Sequence, residues 1–123
     1  PLSVDRERGL VFVPTGSASP DFFGGQRPGD NRWANSIVAL RAATGELAWG
    51  RQLVRHDLWD YDVASQPTLA ELVRDGVRVP VVIATAKTGM VFVFRRDDGT
   101  PVFPIVERRV PASDVPGESA APT

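Results

Sequence analysis

The sequence predicts an all-β chain of antiparallel strands, on three observations. Its apolar runs are short and rich in Val, Ile and Phe. They are punctuated by Gly, Pro and Asp, the residues that make turns. Almost nothing in the chain shows the i, i+3, i+4, i+7 apolar spacing of an amphipathic helix.

Residues 9–16, GLVFVPTG, read as a strand closed by a glycine turn. The Pro- and Gly-rich stretch SPDFFGGQRPGDNRW (19–33) reads as a long loop. NSIVALRAATGELAWGRQLV (35–54) reads as a hairpin, with Ile37 and Ala39 on one face and Val38 and Leu40 on the other. Gly45 supplies the positive φ that its tip needs. SQPTLAEL (65–72) is a short strand that leads into a polar hairpin at VRDGVRV (73–79). Residues 79–106 are expected to hold three strands joined at KTG and DDGT. Residues 107–123 carry no core-forming pattern, so the folded unit is placed at 1–111, with an extended or disordered tail at 112–123. The chain opens at Pro1 without a methionine and closes on GESAAPT, and is expected to be a piece of a longer protein.

Fourteen basic residues stand against fifteen acidic ones, with the signs interleaved. No basic stripe could neutralise a run of phosphates, so nucleic acid is not an expected partner. No stretch approaches the roughly 20 apolar residues of a spanning helix, and no signal-peptide pattern is present. Any membrane anchor or export signal would lie outside this chain. The absence of cysteine excludes a disulfide framework and thiolate metal ligands, but it does not separate cytoplasm from periplasm.

Two segments align with each other. VALRAATGELAWG and FVFRRDDGTPVFP each run as a strand with Arg, a turn with Gly45 or Gly99, and a strand whose aromatic, Trp49 or Phe103, falls four residues later. The glycines are 54 residues apart, close to the repeat length of propellers with long loops. Two unrelated hairpins in one sandwich remain the alternative on this comparison alone.

HDLWDYD (56–62) packs three carboxylates, the only histidine and two large aromatics into seven positions. On residue types alone it is either a solvated acidic loop or a site. Lys87, inside the apolar run VVIATAKTGMVFVF, is costly to bury without a partner. It reads either as an exposed hairpin tip or as a functional cation.

Taken together, VPTGSASPDFFGG (13–25), ATGELAW (43–49), HDLWDYD and ATAKTGMVFV (84–93) resemble the catalytic propeller of the pyrroloquinoline quinone (PQQ) dependent dehydrogenases. Within that family they are most similar to the membrane-bound quinoprotein glucose dehydrogenases. The resemblance runs from about Gly9 to Pro111 and keeps the order and spacing of all four segments. It implies antiparallel strands forming about two blades of an eight-bladed β-propeller. The first blade would contribute its last three strands, and the second would be nearly complete. ALRAATGELAW (39–49) looks like one of the family's docking motifs, and DDGTPVF (97–103) like a degenerate one with Phe103 in place of Trp. A blade cannot bury its own faces, so the chain alone is expected to self-associate or swap strands.

The resemblance also implies roles. Oxidising an alcohol by hydride transfer needs a base for the hydroxyl proton, which the protein supplies, and an electrophile, which the cofactor supplies. Asp60 is the implied catalytic base. Asp57 and Asp62 are read as capping or loop-holding. Lys87, 27 residues after Asp60, is the implied cofactor-binding cation on the quinone oxygens. Trp59 is read as packing the floor of the site and Tyr61 as structural. His56 is either a second base or, the reading preferred here, a hydrogen-bonding structural group. The FFGG loop either lines the substrate funnel or packs between blades.

The family requires a Ca²⁺ or Mg²⁺ ion bound by hard oxygen ligands. Its alcohol-oxidising branch places a ligand Asn after the TG turn, where this chain has Ser17. That departure fits the glucose branch, with metal ligands expected upstream of Pro1, and no ligand is named in this chain. The expected parent is a quinoprotein at the periplasmic face of the bacterial inner membrane. It would oxidise an aldose sugar, glucose to gluconolactone, and pass electrons to ubiquinone. The alternatives are a dehydrogenase of polyols or alcohols and a non-catalytic propeller scaffold. A scaffold would have no reason to keep both Asp60 and Lys87.

Overall fold

The structure, a computed structural model, describes residues 1–123. β1 (Ser3–Asp5), β2 (Leu10–Pro14), β3 (Ser36–Arg41) and β4 (Leu47–Gln52) form an antiparallel sheet in the order β1-β2-β3-β4. β5 (Thr68–Arg74), β6 (Val77–Thr85) and β7 (Val91–Arg95) form a second antiparallel sheet in chain order. One turn of 3-10 helix at Gly24–Gln26 interrupts the long loop, and there is no α-helix. The fold class read from the sequence, all-β and antiparallel, is the one observed.

Two element expectations are corrected. The first sheet has four strands, because Ser3–Asp5 pairs with β2 through Val4 opposite Val11. A three-residue strand is too short to show the alternation that marks one. The third strand expected within residues 79–106 is reduced to a single bridge between Phe94 and Pro101. Pro101 and Pro104 have no N–H to give a ladder, so pairing stops where it begins.

Alternation decides which face is buried. Leu10 and Phe12 of β2, Ile37 and Ala39 of β3, Val82 and Ala84 of β6, and Phe92 and Phe94 of β7 point to one side of their sheets and meet in one core. Trp49 of β4 lies at the junction, with its ring 5.7 Å from Phe12 and 6.2 Å from Phe94. Its indole Nε1 donates to the carbonyl of Arg96 at 2.9 Å. Its six-membered ring lies over Gly99, where an added Cβ would come within 2.6 Å of the indole. Arg51 Nε donates to the Gly99 carbonyl at 2.7 Å, which clasps that peptide from the other side. Arg96 in turn reaches back to Asp5 at 2.7 Å and to the carbonyl of Ala70 at 2.9 Å.

The internal repeat is borne out in its hydrogen bonds. Gly45 N–H donates to Arg41 and Arg41 N–H to Glu46; 54 residues on, Gly99 donates to Arg95 and Arg95 to Thr100. Both glycines have positive φ, +74° and +69°. Trp49 fills the space over the second turn, while nothing lies within 4 Å of a Cβ added at the first. At the other end Phe103 is exposed, with Met90, Val91, Ile105 and Val106 beside it. Both ends of the two-sheet unit thus leave open the positions that the junction between the sheets fills.

That asymmetry sets a prediction. Gly45→Ala carries only the left-handed backbone penalty, about 1 kcal/mol. Gly99→Ala adds a collision with Trp49 and is expected to cost about 2–4 kcal/mol in all, the backbone penalty plus about 1–3 kcal/mol of overpacking. Chemical denaturation of the two variants checks this, and equal losses would contradict the docking.

Candidate functional site

The segment that joins the two sheets, residues 53–67, holds HDLWDYD, and its shape is set by a buried carboxylate. Asp57 is 1% exposed. Its Oδ1 accepts from the Trp59 amide at 2.9 Å. Its Oδ2 accepts from the Tyr61 amide at 2.6 Å, Asn35 Nδ2 at 2.7 Å and Ser17 Oγ at 2.5 Å. A buried carboxylate persists only when its lone pairs are satisfied, and here four donors do so. Arg27 ties the neighbouring loop to the same hub, donating to the carbonyls of Asp57, Pro20 and Asp21 and to Asn31 Oδ1. Leu58 and Val63 are buried on either side of the exposed tip.

The tip is wound tightly. His56 and Asp60 both adopt left-handed backbone, with φ of +42° and +58°. Aspartate tolerates that region better than most residues, and strain of this kind concentrates at functional sites. The winding lifts Asp60 out of the loop, where its Oδ2 lies 2.7 Å from Lys87 Nζ. Lys87 is carried by the β6 to β7 hairpin, closed by Gly89 at φ +77° and by the Gly89 amide donating to Ala86. Lys87 Nζ also lies 2.7 Å from Asp62 Oδ2. Asp62 Oδ1 in turn accepts from the Ser17 amide at 2.7 Å. The cluster therefore draws on the first sheet's glycine turn, the connecting segment and the second sheet's hairpin.

Of the residues the sequence nominated, Asp60 and Lys87 are joined directly. Lys87 is at a hairpin tip with its side chain 45% exposed, as the first of its two sequence readings has it. Trp59 is 44% exposed and stacks on Tyr61, with centroids 5.8 Å apart and an interplanar angle of 26°. His56 is buried, its Nδ1 2.7 Å from the Gly29 carbonyl. Its Nε2, against Gly24, has no partner, and no hydrogen bond joins the ring to Asp60 or Lys87. Phe22 is exposed in the loop before the 3-10 turn.

Sequence reasoning missed Arg27, Asn35 and the pairing of Asp62 with Lys87. Arg27 and Asn35 act through contacts to residues 22 to 30 positions away, which no local pattern encodes. The one signal for Asp62 was its place two residues after Asp60 in an otherwise aromatic stretch.

The side chains fit a cation-recognised planar group better than a metal. No group of three or more His, Cys, Asp or Glu is placed to hold an ion. The carboxylates of Asp60 and Asp62 already share the Lys87 ammonium, and Ser17 Oγ is spent on Asp57. Ca²⁺ and Mg²⁺ take hard oxygen ligands, and most carboxylate oxygens of this loop are engaged by Lys87 or by backbone and side-chain donors. Lys87 has three N–H donors and gives two to carboxylates, so one remains for an oxygen approaching from solvent.

Residues 1–123 match the family described as "PQQ: Glucose/ethanol/alcohol dehydrogenase, beta-propeller domain". The chain is 47% identical over 124 residues to quinoprotein glucose dehydrogenase of Escherichia coli K12, covering all of this chain and 16% of that one. It is 42% identical over 125 residues to the glycerol dehydrogenase large subunit of Gluconobacter oxydans 621H, covering 99% of this chain and 17% of that one. Among solved structures, quinohemoprotein alcohol dehydrogenase from Comamonas testosteroni superposes with a TM-score of 0.75 at 31% identity, over 91% of this chain and 17% of that one. The chain spans about one sixth of the length of the curated relatives it matches.

The Lys87 ammonium holds the Asp62 carboxyl below its usual 3.8, against a cost of burial and with help from the Ser17 amide. The two carboxylates hold Lys87 above its usual 10.5. Asp62 thus stabilises the loop above its unfolded value, a contribution lost as pH falls through its lowered folded value. The Lys87 contribution is present below 10.5 and lost as pH rises through its raised value. Carboxyl ¹³C NMR is expected to show an Asp62 midpoint below 3.8 that returns toward 3.8 in Lys87→Met. An unmoved midpoint would mean that the pair does not form.

Proposed function

The chain belongs to the PQQ-dependent glucose/ethanol/alcohol dehydrogenase β-propeller family, and from that premise we propose that it supplies the base and the quinone-facing cation of an enzyme that oxidises an aldose sugar, glucose to gluconolactone. One observation carries the proposal: Asp60 and Lys87, 27 residues apart, are brought to 2.7 Å on an exposed surface. The 47% identity to a quinoprotein glucose dehydrogenase supports glucose as the first substrate to try. Residues 1–111 are proposed to be about two of eight blades, the rest of the ring lying elsewhere in the protein.

PQQ, when bound, would supply the acceptor for the hydride that leaves the sugar carbon. Asp60 has its Oδ2 on Lys87, and its other oxygen is the one proposed to accept the hydroxyl proton of the same sugar. Loss of that proton and of the hydride leaves the carbonyl of the lactone. Lys87, with one N–H uncommitted, would hold the quinone oxygens of the bound cofactor and stabilise negative charge there. Trp59 offers a half-exposed aromatic face beside them, and the buried Asp57 keeps the loop in its wound form. His56 serves the loop through the Gly29 carbonyl and takes no part in the proton transfer.

The required Ca²⁺ or Mg²⁺ is held by residues outside this chain. Electrons are proposed to pass to ubiquinone at the periplasmic face of the bacterial inner membrane. No helix here is long and apolar enough to cross a membrane. A polyol substrate is the second reading, favoured by the 42% identity to a glycerol dehydrogenase large subunit.

The test is dye reduction by the full-length protein loaded with PQQ and Mg²⁺ or Ca²⁺, on glucose and a panel of polyols, for wild type and Asp60→Asn. Removing a general base is expected to lower kcat on glucose by about 10²- to 10⁴-fold while PQQ stays bound. Higher activity on glycerol than on glucose would favour the second reading. An active Asp60→Asn enzyme would place the base elsewhere, and no activity on any substrate would leave a scaffold.

A further inference from the structure

Lys87 is held at two points by a residue that the proposed chemistry does not use. Its ammonium lies 2.7 Å from Asp62 Oδ2, the same distance as from Asp60. Its backbone N–H donates to the Asp62 carbonyl at 3.0 Å. Asp62 is itself seated, because Oδ1 accepts from the Ser17 amide at 2.7 Å. Gly16 is packed against that seat: a Cβ added there would lie 2.7 Å from Asp62 Oδ1. The Asp62 side chain is 24% exposed, against 29% for Asp60 and 45% for Lys87, so Asp62 is the most sheltered member of the cluster.

A lysine on a hairpin tip has four rotatable side-chain bonds and loses its place easily. With Asp60 as its only partner, the ammonium would be free to follow that carboxylate or to swing into water. A second carboxylate, fixed to the Ser17 backbone amide just beyond β2, removes that freedom and leaves one N–H uncommitted. We propose, resting on the function above, that Asp62 is a positioning residue: seated on the Ser17 amide beside Gly16, it fixes the Lys87 ammonium where it meets both Asp60 and the quinone oxygens of the cofactor. Gly16 belongs to the same device, since any side chain there displaces the Asp62 carboxylate.

Two variants of the full-length protein separate positioning from loop-holding. Asp62→Asn keeps an oxygen for the Ser17 amide but loses the charge that holds Lys87. Gly16→Ala keeps the charge and moves it. Three quantities are read: PQQ affinity of the apoprotein by fluorescence quenching, kcat and KM for the sugar at saturating PQQ, and the thermal unfolding midpoint. Loss of a charge-assisted contact is expected to weaken PQQ binding about tenfold and lower kcat about tenfold, with sugar KM within about twofold. Gly16→Ala is expected to show the same pattern, and both unfolding midpoints are expected to stay near wild type.

Wild-type PQQ affinity and kcat in both variants would overturn the inference. So would a fall in unfolding midpoint with kcat per PQQ-bound protein unchanged, since that is loop-holding alone. If Asp62→Asn does not fold, Gly16→Ala decides by the same criteria. A wild-type protein that binds no PQQ defeats the underlying functional reading, and that result is seen before either variant is measured.

Discussion

Trp49 can lie flat on the turn of the neighbouring sheet only because residue 99 has no side chain, and the site depends on that contact. Asp60 stands on the segment between the sheets, the Asp62 seat is a glycine turn of the first sheet, and Lys87 rides a hairpin of the second. These parts share a geometry only while the sheets stay docked. The junction is made from different kinds of interaction at once. Phe12, Trp49 and Phe94 supply apolar area, the indole and Arg51 bond to the backbone around Gly99, and Asp5 pairs with Arg96. Burial alone would tolerate sliding, whereas the hydrogen bonds to Arg96 and Gly99 fix register.

Within that frame the loop uses charge in two ways. Asp57 is buried and surrounded by donors, so it shapes the backbone and is closed to chemistry. Asp60, three residues on, is lifted into left-handed backbone and shares one cation with Asp62. The same residue type in one short motif is thus divided by environment into a hub, an exposed carboxylate and an anchor. The buried acid winds the loop, Leu58 and Val63 hold it down, and the winding exposes Asp60 and the face of Trp59.

Much of the fold was legible because its signals are local. The turns at Gly45 and Gly99 and the Asp75 and Gly76 hairpin announce themselves by residue type, and the 54-residue repeat reappears as the same pair of turn hydrogen bonds. β1 was not legible, since three residues cannot show a period and its pairing depends on Val11 across a turn. The shortfall after Gly99 was written in Pro101 and Pro104, whose missing N–H groups outweigh the apolar pattern around them. In the site, the pairing of Asp60 with Lys87 came from order and spacing within a family resemblance. The roles of Arg27 and Asn35 depend on contacts between distant segments and left no mark in sequence, and for Asp62 only its place beside Asp60 hinted at one.

The central claim is that Asp60 and Lys87 act as one unit across two elements of the fold. A double-mutant cycle in the full-length protein, with Asp60→Asn, Lys87→Met and the pair compared by kcat/KM on glucose, measures that coupling directly. Residues that act together are strongly non-additive, so the double variant is expected to lose about as much as the worse single variant. Losses that multiply across the two positions would show that the 2.7 Å contact joins neighbours with independent roles.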